Sequence, residues 1–224
     1  METMSESFGR TRGDVRAFPH DTAAREALEA YLDALPKDPQ GFIPCFEGDG
    51  LDFSGADLSG LELLGACLDE AILDGVNLRN AELGRASLIA ASMRGADLSG
   101  ALLRKAQGRA CDAQRALLVD ADLRTSEFEE ADLRYADLRG AKLGNAWLAR
   151  TDLRGADLRA CTFGGPTTST GLMEVRMADT RLDGATGHVT GPVDVGTASP
   201  QLIDGDELQR WFVDHGAPEV EVNT

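Results

Sequence analysis

The chain has 224 residues, with 38 Asp and Glu against 22 Lys and Arg, a formal net charge of −16. No run of 18 apolar residues occurs, which excludes a membrane-spanning helix, and the four cysteines show neither CxxC nor zinc-ligand spacing. Met1 to Arg16 is polar and lacks an apolar signal core, so the expected compartment is the cytoplasm.

Residues 1–20 are expected to be disordered. Residues 21–50 read as an N-terminal helix and cap. From Asp21 to Leu35 the residues Ala24, Leu28, Tyr31, Leu32 and Leu35 fall on one helical face, and Pro36 ends the helix. Phe42, Ile43 and Phe46 then lead into the next segment.

From Leu51 to Gly165 the chain counts in fives, through 23 blocks without a slip. The first position of each block is small, with Ala in 16 blocks; the third is large and apolar, with Leu in 17. The second, fourth and fifth positions are mostly polar or Gly. A period of five fits neither helix nor flat strand, so the chain must bend once per block. Such a repeat stacks into a solenoid, in which most positions are committed to packing and few remain for chemistry. The spacing alone leaves open three or four blocks per coil.

The blocks Ala56-Asp57-Leu58-Ser59-Gly60, Ala96-Asp97-Leu98-Ser99-Gly100, Ala136-Asp137-Leu138-Arg139-Gly140 and Ala156-Asp157-Leu158-Arg159-Ala160 resemble the pentapeptide-repeat proteins. The resemblance covers residues 51–165. It implies an all-β solenoid, a right-handed quadrilateral parallel β-helix of four blocks per coil, with the first and third positions inside. A helical cap at the N-terminus and a short C-terminal helix complete the expected architecture.

Two consecutive blocks lack a large third residue, Gly108 and Ala113. With four blocks per coil, Gly108 stacks between Leu88 and Phe128, and Ala113 between Met93 and Leu133. Phe128 and Met93 are expected to fill the space. Cys111 and Cys161 stand at first positions as buried Ala substitutes, whereas Cys67 is at an outward second position.

Residues 166–198 read as a loop and a partial last coil. Gly164 to Gly171 has loop composition, and the pattern resumes one residue out of phase at Val175, Thr180 and Ala185. Residues 199–224 read as a C-terminal helix and tail. Asp204 to Glu207 resembles a capping box with Ile203 and Leu208 as its staple, and the helix stops at Gly216. Its apolar residues Leu208, Trp211 and Phe212 serve either as a cap on the rod or as a contact between two rods. Their amount of apolar surface favours a homodimer through this helix.

The repeats carry a net charge of −4 and residues 166–224 carry −7, so the rod is nearly balanced. Asp and Arg alternate in Asp132/Arg134, Asp137/Arg139, Asp152/Arg154 and Asp157/Arg159, the pattern of a solvated charge lattice. Two places are acidic without a neighbouring cation: the stretch Leu51 to Gly75, which includes Asp69 and Glu70, and the cluster Glu127, Glu129 and Glu130. Trp147 lies one coil beyond that cluster. These six residues are the candidate partner contacts.

The expected function is a non-catalytic protein-binding or scaffold rod. The resemblance also implies an alternative, a DNA mimic that protects or inhibits a type II topoisomerase such as DNA gyrase. His20, His188 and His215 all lie outside the repeats, and no nucleophile, phosphate-loop or metal motif occurs. No catalytic residue, metal or cofactor is therefore expected, nor direct contact with nucleic acid or membrane.

Overall fold

The computed structural model describes residues 11–36 and 41–223. The rod has four sides, and residues twenty apart pair in parallel from Glu47↔Cys67 to Lys142↔Thr162. Leu78, Leu98 and Leu138 occupy one interior row, because their neighbours Asn77, Asp97 and Asp137 belong to one ladder and all three leucines are buried. Four blocks per coil follow directly.

Within a block, three backbone N–H groups build the stack. The third-position N–H donates to the next coil (Leu58 N to Asn77 O, 2.8 Å), as does the fifth (Gly60 N to Arg79 O, 2.8 Å). The second donates back to the previous coil (Glu82 N to Leu61 O, 2.9 Å). Corners are turns closed by the first-position N–H, as from Ala56 N to Phe53 O at 3.0 Å. The fifth residue has positive φ, as at Gly60 (60°) and Asn80 (55°). That combination marks a type II turn and explains the preference for Gly there. Burial of each third-position Leu contributes about 1.5–3 kcal/mol.

The fourth-position N–H has no place in these ladders, and its partner explains the second-position Asp. Asp57 Oδ1 accepts from Ser59 N (3.0 Å), Asp97 Oδ1 from Ser99 N (3.0 Å) and Asp137 Oδ1 from Arg139 N (3.2 Å). This is the local side-chain-to-backbone bond that makes Asp a turn residue. In the early coils a fourth-position Asp does the same across coils: Asp69 Oδ1 accepts from Ile89 N, and Asp74 Oδ1 from Arg94 N, both at 2.9 Å. Asp is therefore structural first and a surface charge second.

The rod is longer than the unbroken repeat. Phe46 to Gly50 forms a block in the same register, with Phe46 buried at its first position and Gly48 at its third. Beyond Phe163, ladder partners become twenty-four apart (Trp147↔Gly171, Asp152↔Arg176, Thr162↔Thr186). Four inserted residues bulge out and the stack continues. Buried Thr170 Oγ1 anchors the bulge by donating to Leu143 O and Phe163 O, at 2.7 and 2.9 Å. The expected partial last coil is thus a complete one. The strands β1 (Thr170–Gly171) and β2 (Val175–Arg176) belong to it. On these lie β3 (Thr186–Thr190) and β4 (Val193–Asp194), which begin a further coil.

Both open ends are closed from within the chain. Helix α1 (Thr22–Ala34) is capped by Asp21, whose side chain accepts from Ala24 N, and buries Ala24, Leu28, Tyr31 and Leu32. The Tyr31 ring meets Phe46 at a tilt, centroids 5.1 Å apart, and its hydroxyl donates to the edge carbonyl of Glu62. Ala17 O accepts the edge N–H of Asp57 at 2.8 Å. Unpaired groups at a sheet edge invite foreign strands, and here the cap supplies their partners. The expected disorder therefore does not extend over residues 11–20. A short 3-10 turn forms at Arg12–Asp14, Arg12 pairs with Glu29 and Asp33, and Phe18 packs against the core. Polar composition hid this role, because the segment's main service is a backbone carbonyl. The expectation for residues 1–10 lies outside the described residues.

At the other end β5 (Leu202–Ile203) pairs antiparallel with β4, and β6 (Glu219–Val222) pairs with β3. Between them, α2 (Gly205–Asp214) closes the core with Leu208 and Phe212, both fully buried. Phe212 meets Phe163 edge-on at 6.2 Å. The expected capping box is not formed in full. Asp204 Oδ1 accepts from Gly205 N instead of from Glu207 N, which bonds the Asp204 carbonyl.

Candidate protein-contact surface

The four sides differ in charge. The fourth side comprises 46–50, 66–70 and every equivalent block up to 170–174, along the ladder Glu47–Cys67–Ser87–Gln107–Glu127–Trp147–Gly171. It carries eight carboxylates and two cations, Arg109 and Arg150, a net charge of −6. The second side, from Ala56 to Gly184, carries −2, and the third, from Leu61 to Lys142, carries +2.

All six candidate contact residues project from this fourth side. Asp69 and Glu70 lie three coils from Glu129 and Glu130, and Glu127 is directly paired with Trp147 in the ladder. Their common side was legible in the numbering, since 69 and 129 differ by three times twenty. The other acids of the stretch Leu51 to Gly75 are distributed differently: Asp52, Asp57 and Glu62 belong to the three remaining ladders. That stretch forms a ring around the rod, not a patch.

The environment of the six is not uniform. Asp69 accepts the Ile89 N–H and the Ser87 hydroxyl, so part of its charge is held in the stack. Glu70 is exposed. The Glu127, Glu129, Glu130 cluster is not cation-free, contrary to the sequence expectation. Arg150 pairs with Glu129 and, at 3.0 Å, with Glu130. The signal for it was again a separation of twenty. Trp147 is 43% exposed, and its ring lies over the backbone of Gly171, where an added Cβ would sit 2.5 Å from Cε3. Met173, also exposed, continues this apolar margin. A half-exposed Trp bordered by carboxylates has the composition of an interface anchor with a polar surround.

At the C-terminal helix, Leu208 and Phe212 are occupied within their own chain. Trp211 alone of the three retains outward surface, and it stacks on His215 at 4.2 Å. Leu208 and Phe212 close the core, and Trp211 packs only partly against it. Among the described residues no helix is long and apolar enough to cross a membrane.

Parallel ladders on four sides with aliphatic rows inside define a right-handed quadrilateral β-helix. The family model described as pentapeptide repeats matches eight copies, over residues 49–75, 71–106, 109–145 and 136–165. The chain belongs to the pentapeptide repeat family. Similar solved structures include two trypsin-treated forms of QnrB1, described as a plasmid-mediated fluoroquinolone resistance protein. One is 16% identical, with 80% of this chain and 91% of that chain covered and a TM-score of 0.53. The other is 19% identical, covering 68% and 71%, with a TM-score of 0.52. HetL from Nostoc sp. strain PCC 7120, described as involved in heterocyst differentiation regulation, is 21% identical over 67% and 78%, with a TM-score of 0.48. No curated protein matches the sequence.

Proposed function

We propose that the protein is a non-catalytic, cytoplasmic protein-binding rod whose acidic fourth side is the contact surface, with Trp147 as its anchor. The observation that carries this reading is the projection of Asp69, Glu70, Glu127, Glu129, Glu130 and Trp147 from one ladder. Closed ends support it, since they leave the sides as the extended surfaces of the molecule. A partner should present Lys and Arg opposite this side, and attraction between the two surfaces chiefly sets the encounter rate. The test is affinity capture with the wild type, the Glu127→Lys/Glu129→Lys/Glu130→Lys variant and Trp147→Ala as baits. A partner held by the wild type and lost from both variants supports the surface; equal retention by all three baits removes it.

A second reading is that the rod stands in for DNA on a type II topoisomerase such as DNA gyrase. The acidic side supports it, since proteins that hold DNA do so with Lys and Arg. Likeness in fold to a fluoroquinolone resistance protein also points this way, by analogy. A supercoiling assay with and without quinolone reads it directly, and no effect at large molar excess removes it. Pairing of two copies through α2 would rest on Trp211 and the exposed Val213. Sedimentation at high micromolar concentration distinguishes monomer from dimer.

A further inference from the structure

Coil register brings together three ligand-bearing side chains that no local motif joins. Cys45 ends the segment leading into the rod. Glu47 and Cys67 are outward residues on adjacent rungs of the fourth side, paired directly in its ladder. The Sγ atoms of Cys45 and Cys67 lie 3.6 Å apart. A carboxylate oxygen of Glu47 completes a trio of ligand atoms all within 4.8 Å of one another. Cys45 is exposed and Cys67 half-buried, so an ion can enter, whereas Cys111 and Cys161 are buried.

These distances suit a particular chemistry. A tetrahedral ion with metal–sulfur bonds of about 2.3 Å holds two sulfurs roughly 3.8 Å apart, and a carboxylate oxygen at about 2.1 Å falls within reach of the same centre. A disulfide requires about 2.05 Å between the sulfurs and makes no use of a carboxylate. Two thiolates and a carboxylate also supply a borderline-soft, strongly anionic donor set, which favours zinc over magnesium or calcium.

We propose that Cys45, Glu47 and Cys67 bind a thiophilic divalent cation of the zinc class, with water in the fourth position. Binding replaces two S–H bonds by two metal–sulfur bonds and releases both protons to solvent; nothing is oxidised or reduced. The ion ties the segment entering the rod to the second coil, across 22 residues of chain. It thereby clamps the N-terminal edge beneath the cap.

The experiment uses the reduced full-length protein, titrated with Zn²⁺ against a chromophoric chelator and with Cd²⁺ alone, following thiolate-to-cadmium charge transfer in the ultraviolet. One equivalent is expected, with the charge-transfer band lost in Cys45→Ser and in Cys67→Ser. Glu47→Gln should weaken binding by about tenfold or more. Cys111→Ser, in the buried interior, should bind as the wild type does. Circular dichroism of each variant separates loss of the site from loss of the fold. At a hundredfold excess over Kd, the thermal midpoint of the wild type should rise by about 5–10 °C and that of Cys45→Ser should not. Failure of the reduced protein to compete with the chelator overturns the proposal. So does undiminished binding by folded Cys45→Ser or by Glu47→Gln.

Discussion

The second and fourth sides of the rod obey the same backbone rules and differ in nearly everything else. Inside, the second side is Leu in every complete coil, from Leu58 to Leu182. The fourth runs Gly48, Leu68, Leu88, Gly108, Phe128, Leu148, Leu172. Outside, the later coils of the second side pair Asp with Arg in the same block, as in Asp137–Arg139 and Asp157–Arg159, and Asp97 pairs with Arg79 one coil back. The fourth keeps most of its acids unmatched and adds Trp147 and the thiol of Cys67. Departures from Leu are not confined to the fourth side, since the first runs Phe53, Leu73, Met93, Ala113, Leu133, Leu153, Met177; only the fourth joins them to a strongly acidic exterior.

The sharpest way to break this comparison is inside. The Phe128 ring occupies the place of a missing side chain one coil away: a Cβ added at Gly108 would lie 2.3 Å from its Cε1. Phe128→Ala should cost ~3–5 kcal/mol, because the void it leaves has no neighbour at Gly108 to collapse into it. Leu83→Ala, in a regular row, should cost less in the same chemical denaturation; equal costs would end the idea that Phe128 compensates for Gly108. Gly108→Ala should destabilise the wild type by about 1–3 kcal/mol through overpacking. The same change in a Phe128→Leu background should cost less, and the double-mutant cycle measures the difference.

On the outer second side, Asp137→Ala removes an acceptor shared by the Arg139 backbone and guanidinium. The expected loss is about 0.5–1.5 kcal/mol, the ordinary net value of a hydrogen bond, because these bonds face solvent. The Asp137 and Asp157 carboxyls titrate below the usual carboxylate range, chiefly because the side chains of Arg139 and Arg159 hydrogen-bond to them. A depressed folded pKa means that this stabilisation is complete above the unfolded value of about 3.9 and is lost as pH falls through the lower, folded value. Denaturation midpoints should hold from neutrality to about pH 5 and drop below pH 4, less steeply in Asp137→Asn/Asp157→Asn. Arg150→Ala marks the small end of the scale. Its pairs with Glu129 and Glu130 are solvent-exposed, so the denaturation midpoint should hardly move while the acidic side gains net negative charge.

Much of the fold was legible because the period of five leaves the chain few options. Rows such as Leu78, Leu98 and Leu138 need only counting once four blocks make a coil. The Phe128–Gly108 compensation was legible on the same count. Other neighbours follow from the same count carried across coils. Arg150 beside Glu130, and Asp69 in line with Glu129, needed only multiples of twenty. Cys45 and Cys67 could not be joined in that way, because Cys45 precedes the first block and 22 residues separate them. The Thr170 anchor and the Ala17 carbonyl were hidden for a different reason, since a residue's backbone and hydroxyl partners leave little trace in hydropathy. Phe46 gives no repeat signal because a bulky ring at a first position departs from the Ala rule, and Gly48 leaves the third position of the block without its Leu, its space being taken by Phe53 and Leu68.

Azimuth and height are separate coordinates in such a rod. Excising twenty residues from the uninterrupted coils shortens the stack by one storey and leaves every downstream side chain facing its former compass direction. Excising five keeps the corners and ladders but swings everything beyond the cut by a quarter turn, so that Glu127 and Trp147 would no longer look the same way as Glu70. Chain length, in units of one block, is therefore a dial that aims one stretch of surface relative to another without touching the residues that compose it.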